Sequence, residues 1–149
     1  MPNFLKLVGT VAVFVKVPPI SLDDYLNASK EYPYTWPKIP LMYQPNVVDL
    51  LLRVNLLITK IDMPVIVTSG YRSYEHNLKV GGAKDSANMI GKALDLEAAH
   101  AEQMPVLQEF LTSATDLLSE YGLWAESFES TSFHVHLTTV PKSERIFEP

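Results

Sequence analysis

Cysteine is absent from this 149-residue chain, which excludes disulfides, thiol nucleophiles and zinc-thiolate sites at once. Clustered basic residues are missing too. With a net charge of −5 and no run of Lys or Arg, the chain lacks the footprint that phosphate backbones require, so no nucleic-acid partner is expected. Long apolar runs are also lacking. The nearest is residues 7–15, flanked by Lys6 and Lys16, which is far too short to span a bilayer. It has no preceding basic region beyond Lys6 and no small-residue cleavage site before Pro18-Pro19, so no clear signal peptide is expected. Internal repeats and linkers are not visible, and 149 residues suit one domain with a real core.

What is present is 47% apolar and 19% charged residues, the composition of a folded chain. Val8, Val11, Val13, Val15 and Val17 make residues 2–17 extended, either as one strand or as a hairpin broken near Gly9-Thr10. Such an apolar segment must be buried on both faces or paired with another subunit. It reads as an N-terminal strand or arm over residues 1–19, ahead of a domain over 20–149. Ser21 and Asp24 fit a capping box opening a short helix to about Lys30. From Glu31 to Pro45, prolines alternate with Tyr32, Tyr34, Trp36 and Tyr43, giving an irregular loop that either packs over apolar surface or walls a cleft.

Asn46 is the expected cap of the clearest helix, whose stripe is Val47, Leu50, Leu51, Val54, Leu57, Ile58 and Ile61. A strand over residues 65–68 follows. Residues 71–92 read as mostly loop, with one helical turn near residues 73–78. In residues 93–98, Leu94, Leu96 and Ala98 face one way, and Ala93, Asp95 and Glu97 the other. Pro105 starts a second long helix to Tyr121, with Gly122 as its terminator. Strands are expected at 123–128 and 133–138, the latter turning Phe133, Val135 and Leu137 to the core and His134, His136 and Thr138 outward. Residues 140–149 read as surface chain.

Chemistry concentrates between residues 65 and 97 and at His134-Val135-His136. Strand alternation puts the two imidazoles on one face, about 7 Å apart. They can converge on a metal, split into ligand and acid–base group, or form a polar surface. Arg72, just past a strand end, has the fork that binds a carboxylate, or else pairs with an acidic side chain of the chain itself. Gly81-Gly82 permits a tight turn or a close approach.

Ser69-Gly70-Tyr71-Arg72-Ser73, Asn77, Val80-Gly81-Gly82-Ala83, Ser86, Gly91, Ala93, Asp95 and His134-Val135-His136 together resemble the M15 family. Its members are zinc D-alanyl-D-alanine carboxypeptidases and murein endopeptidases, many of them phage-encoded. The resemblance, over roughly residues 20–140, implies an α+β fold of the Hedgehog/DD-peptidase-like kind, an antiparallel sheet with helices packed on one face. It implies zinc as cofactor, with Asp95 and His136 as ligands, His134 assisting catalysis, and Arg72 and Ser86 on the substrate side. Asn88 stands where the family has its first zinc His. The Glu base that some branches place three residues before the ligand His is not restored, since Phe133 precedes His136 and Thr131 precedes His134 by that spacing. An amide oxygen is a far weaker zinc donor than imidazole. Two expectations follow. One is an impaired M15-like domain acting as a structural or cell-wall-binding part of a phage virion. The other is an active peptidase cleaving peptidoglycan peptides in the host cell or periplasm. Expected partners are peptidoglycan peptides, other phage structural proteins, and further copies of the chain through the N-terminal strand. His76 and His100 are the remaining imidazoles, and neither stands at a family ligand position.

Overall fold

The computed structural model describes residues 18–129 and 133–149 in full, and residues 4–8 and 11–15 as backbone. Those two N-terminal stretches are β1 (Phe4–Val8) and β2 (Val11–Val15), an antiparallel pair forming a two-stranded sheet of its own. The expected hairpin is therefore seen in its strands, while the Gly9-Thr10 turn lies outside the described residues.

Ser21 and Asp24 close the capping box in both directions. The Ser21 hydroxyl accepts from the Asp24 amide at 3.0 Å, and the Asp24 carboxylate accepts from the Ser21 amide at 2.9 Å. The helix they open, α1 (Leu22–Leu26), is shorter than its sequence suggests, because Asn27 already leaves helical geometry. The aromatic-proline loop carries a single 3-10 turn at Trp36–Lys38, and Tyr34, Trp36 and Tyr43 lean on the core. Packing is thus the role most of its rings take.

α2 (Gln44–Ile58) begins two residues before the expected cap. Pro45 sits in its first turn, where the missing N–H costs nothing and the fixed φ helps. Asn46 is freed from capping and donates its side-chain amide to Ile90 O at 2.9 Å, tying α2 to the loop beside the site. The predicted stripe is the buried one: Val47, Leu50, Leu51, Val54, Leu57 and Ile58 all enter the core.

The central sheet has five strands in the order β3-β4-β6-β5-β7: β3 (Val65–Ser69), β4 (Ala93–Ala98), β5 (Trp124–Glu126), β6 (Val135–Thr138) and β7 (Ile146–Phe147). All pairs are antiparallel except β5–β7. Leu94, Leu96, Val135, Leu137 and Ala125 project from one face into a single cluster with α2 and with Leu107, Leu111 and Leu118. These last belong to α4 (Met104–Ser113) and α5 (Thr115–Tyr121); a further short helix, α3 (Tyr74–Lys79), follows β3. The fold is α+β. Each fully buried Leu contributes about 1.5–3 kcal/mol, so this face holds the domain together.

Three further expectations are corrected. The helix begun near Pro105 breaks at Ala114, where the Ser113 hydroxyl donates back to Glu109 O at 3.0 Å and Thr112 to Gln108 O at 2.9 Å. Such back-bonding bends helices. The 3,4 spacing survives the break, so one face stays buried, and Gly122 terminates α5 with φ +65° as expected. Phe133 is 81% exposed, not in the core, because β6 starts only at Val135. The C-terminal segment is not all surface: β7 joins the sheet and Phe147 is buried. Arg145 anchors it by donating to Leu123 O at 3.0 Å, its guanidinium 4.0 Å over the Trp124 ring. A two-residue strand has too little pattern to be read in advance.

Candidate active site

Asp95 stands at the middle of β4 on the face opposite the core. It is only 4% exposed, and three side chains gather around its carboxyl group. Its cross-strand partner in β6 is His136, whose Nδ1 lies 2.8 Å from Asp95 Oδ1. On the other side β3 carries a bulge between Val67 and Ser69, and past it Ser69, not Thr68, lies opposite Asp95. A bulge re-aims side chains at the rim of a sheet. Here it places the Ser69 hydroxyl where it accepts from Arg72 Nε at 3.0 Å. The guanidinium then reaches Asp95 Oδ2 with Nη2 at 3.2 Å. Both carboxylate oxygens are taken.

His134 completes the group, its Nε2 3.8 Å from Asp95 Oδ1. The two imidazoles thus share one face, and His134 is the more open, with 35% of its side chain exposed against 16% for His136. An ionised carboxylate can only accept, so in the short contact to Asp95 His136 Nδ1 is the donor, which orients the ring. The arrangement offers a carboxylate-oriented imidazole, a second more exposed imidazole and a guanidinium on one rim. Acid–base work and recognition of an anionic group are both within that chemistry.

Arg72 is held from behind. Its backbone N–H donates to Asn88 O at 3.2 Å, and Asn77 Oδ1 stands 3.5 Å from Nη1 while the Asn77 amide donates to Ala83 O at 2.9 Å. A Cβ at Gly82 would lie 2.1 Å from Asn77 Oδ1 and 3.1 Å from Arg72 Nη1, so only glycine lets the loop close there. This is the approach that Gly81-Gly82 hinted at.

Asn88 is buried, in a 3-10 turn (Ala87–Ile90) that the sequence did not show. Its side-chain nitrogen donates to Gly70 O at 2.9 Å and to Ala93 O at 3.3 Å, and its oxygen accepts from the Ser86 hydroxyl at 3.1 Å. Two carbonyls on one side fix the amide's orientation, since a flip would set oxygen against oxygen. Ser86 accordingly serves Asn88, receiving its backbone N–H at 3.3 Å as well. The segment ends at Gly91 with φ +73°, where a Cβ would fall 2.7 Å from Val47.

His76 and His100 lie apart from this rim. His76 is buried, stacked on Tyr32 at 4.1 Å between centroids, with Nδ1 3.0 Å from the Tyr34 hydroxyl. That hydroxyl also accepts the Ser73 N–H at 2.9 Å and lies 3.3 Å from the Ser73 hydroxyl, tying the ring to the start of α3. Burial, and then the nearby Arg72 charge, lower the His76 pKa, while Glu31 opposes them. His100 is exposed beyond the far end of β4, ahead of the 3-10 turn Ala101–Gln103.

A zinc site needs three good donors aimed at one point, with a fourth position open. Among the described residues no three His, Asp or Glu side chains form such a group. Asp95 and His136 point at each other, Asn88 turns its amide nitrogen to two backbone carbonyls, and Arg72 sets a positive charge against the one carboxylate. As built, these residues do not fit zinc. Of the two positions for the Glu base, Phe133 points to solvent and Thr131 lies outside the described residues.

Fold and site together define an α+β domain whose sheet carries an Arg–Asp–His cluster on the face opposite the core. The family model of peptidase M15 matches residues 35–137, well over half of the chain, and the chain belongs to that family. No curated protein matches it. No helix among the described residues is long and apolar enough to cross a membrane.

Proposed function

We propose that this chain is a catalytically impaired M15 domain that serves as a structural or cell-wall-binding component of a phage particle. The observation that carries the reading is Asn88. Its side chain spends both hydrogens on the backbone carbonyls of Gly70 and Ala93, so the position that would complete a zinc site works as a clamp between chain segments. Arg72, Asp95, His134 and His136 then act as a polar rim for the carboxylate end of a peptidoglycan peptide, with Arg72 the main contact and Ser86 a support for Asn88. The phage setting and a virion location are part of the proposal, supported by the resemblance of the site motifs to phage-encoded members.

Metal analysis of the purified chain tests this directly. The reading expects far less than one zinc per chain, together with co-sedimentation on isolated cell walls that weakens in Arg72→Ala. One zinc per chain, lost in Asp95→Ala, would overturn it. That result would favour the second reading, an active zinc D,D-carboxypeptidase or endopeptidase working on peptidoglycan peptides in the host cell or periplasm. The convergence of Asp95, His136, His134 and Arg72 on one rim speaks for it. In it His134 would move protons, and Arg72 would steady the peptide carbonyl.

A further inference from the structure

The free edge of the central sheet is β3, the last strand in the order β3-β4-β6-β5-β7. Alongside it runs a groove of about 680 Å³, walled by Pro18, Ile20, Asp23 and Asn27 on one side and by Val65–Thr68 on the other. An unpaired strand edge beside an open groove is a template for another strand. Ile66, in the middle of β3, is 48% exposed there.

The same chain carries an apolar hairpin with no sheet to belong to. Among the described residues β1 and β2 pair only with each other, and an isolated two-stranded ribbon is marginal in water. β2 and β3 are each five residues long. Only two residues in the sequence separate β2 from Pro18, which lines the groove, yet the hairpin forms a sheet apart from the five-stranded one. Charge agrees as well. Residues 1–17 hold two lysines and no acid in a chain of net charge −5, whereas the groove is lined by Asp23 and Asp24 against a single cation, Lys30.

We infer that the β3 edge is the docking site for the N-terminal hairpin of a second copy of this chain, which extends the five-stranded sheet across the contact. The exchange gives each hairpin a sheet to join and covers each exposed edge. Copies associate through the arm as a dimer if the exchange is mutual, or as a chain of copies if it is not. The inference uses no residue of the Arg–Asp–His rim, so it stands or falls apart from the proposed function.

Light scattering on the full-length protein, across a roughly thousand-fold range of concentration, tests it. The expected result is mass rising with concentration above that of one chain. Ile66→Asp puts a charge on the edge and should weaken association about tenfold or more, with circular dichroism confirming the fold. The double variant Lys6→Glu and Lys16→Glu leaves the domain untouched and should weaken it as well, and adding Asp23→Lys should recover part of the loss. A single-chain mass at every concentration overturns the inference, even if the hairpin proves protected from hydrogen exchange. So does association that neither variant changes.

Discussion

Replacing Asn88 separates its structural part from the zinc-ligand position proposed for it. In Asn88→Ala the carbonyls of Gly70 and Ala93 lose their side-chain donor inside the protein, where Asn88 itself is 1% exposed. A buried polar group stripped of its partner costs about 1–3 kcal/mol. The Ala93 contact, at 3.3 Å, is the weaker of the two, so the loss should total about 2–4 kcal/mol. For a chain of this size that is a fall in melting temperature of roughly 5–15 °C. Asn88→His goes further, because an imidazole cannot send two donors to two carbonyls on the same side. It should also destabilise the protein in the absence of metal. With zinc at about one hundred times its dissociation constant, binding to the folded state would return about 2.7 kcal/mol. The assay is thermal unfolding of wild type and both variants, with chelator and with zinc. The expected pattern is a wild type indifferent to zinc, an Asn88→Ala variant lowered and equally indifferent, and an Asn88→His variant lowered and rescued by zinc. An unchanged melting temperature in Asn88→Ala would refute the clamp. Absence of zinc rescue in Asn88→His would refute the claim that residue 88 occupies the place of a ligand.

Gly70→Ala should cost at least about 2 kcal/mol by chemical denaturation, since the new Cβ would sit 2.4 Å from Tyr25 O and 3.0 Å from the buried Tyr25 ring. Leu94→Ala, in the core directly beside Asp95 in sequence, should cost about 2–5 kcal/mol in the same assay. pH should reveal His76. Its pKa in the fold lies below the ordinary 6.5, so the unfolded chain takes up the proton first. Its share of stability is complete above about 6.5 and is lost as pH falls from there towards the lowered value. His76→Gln should flatten that limb of the stability profile, and an unaltered slope would mean that the limb arises elsewhere.

Periodicity made the core legible. The stripe from Val47 to Ile58 and the alternation through Leu94 and Leu96 are burial written into spacing, and both faces came out as expected. The pairing of His134 with His136 on one face was legible for the same reason. What escaped depends on contacts between distant residues. Arg72 and Asp95 are 23 positions apart and meet only because a bulge turns Ser69 toward them. The aromatic loop hid the Tyr34–Ser73–His76 link because it joins residues about forty positions apart. Phe133 looked like core because alternation was extended past the point where β6 begins.

The departure at Asn88 and the placement of Arg72 point the same way. A buried carboxylate is costly unless paired, and Asp95 is paired twice, by a guanidinium and by an imidazole N–H. Those partners engage both of its oxygens, which sets them in competition with any metal ion. A dication at Asp95 would have to displace the His136 proton and lie against the Arg72 charge, while gaining from residue 88 only a neutral amide oxygen already bonded to Ser86. Losing one His to Asn would by itself leave a weak site. In this proposal, an Asn whose nitrogen fastens Gly70 to Ala93 also has a part in the fold that a ligand at that position could not play. On the proposed reading, the pocket is thus a closed hydrogen-bonded network whose outward parts, Arg72 and His134, remain to meet an anionic group.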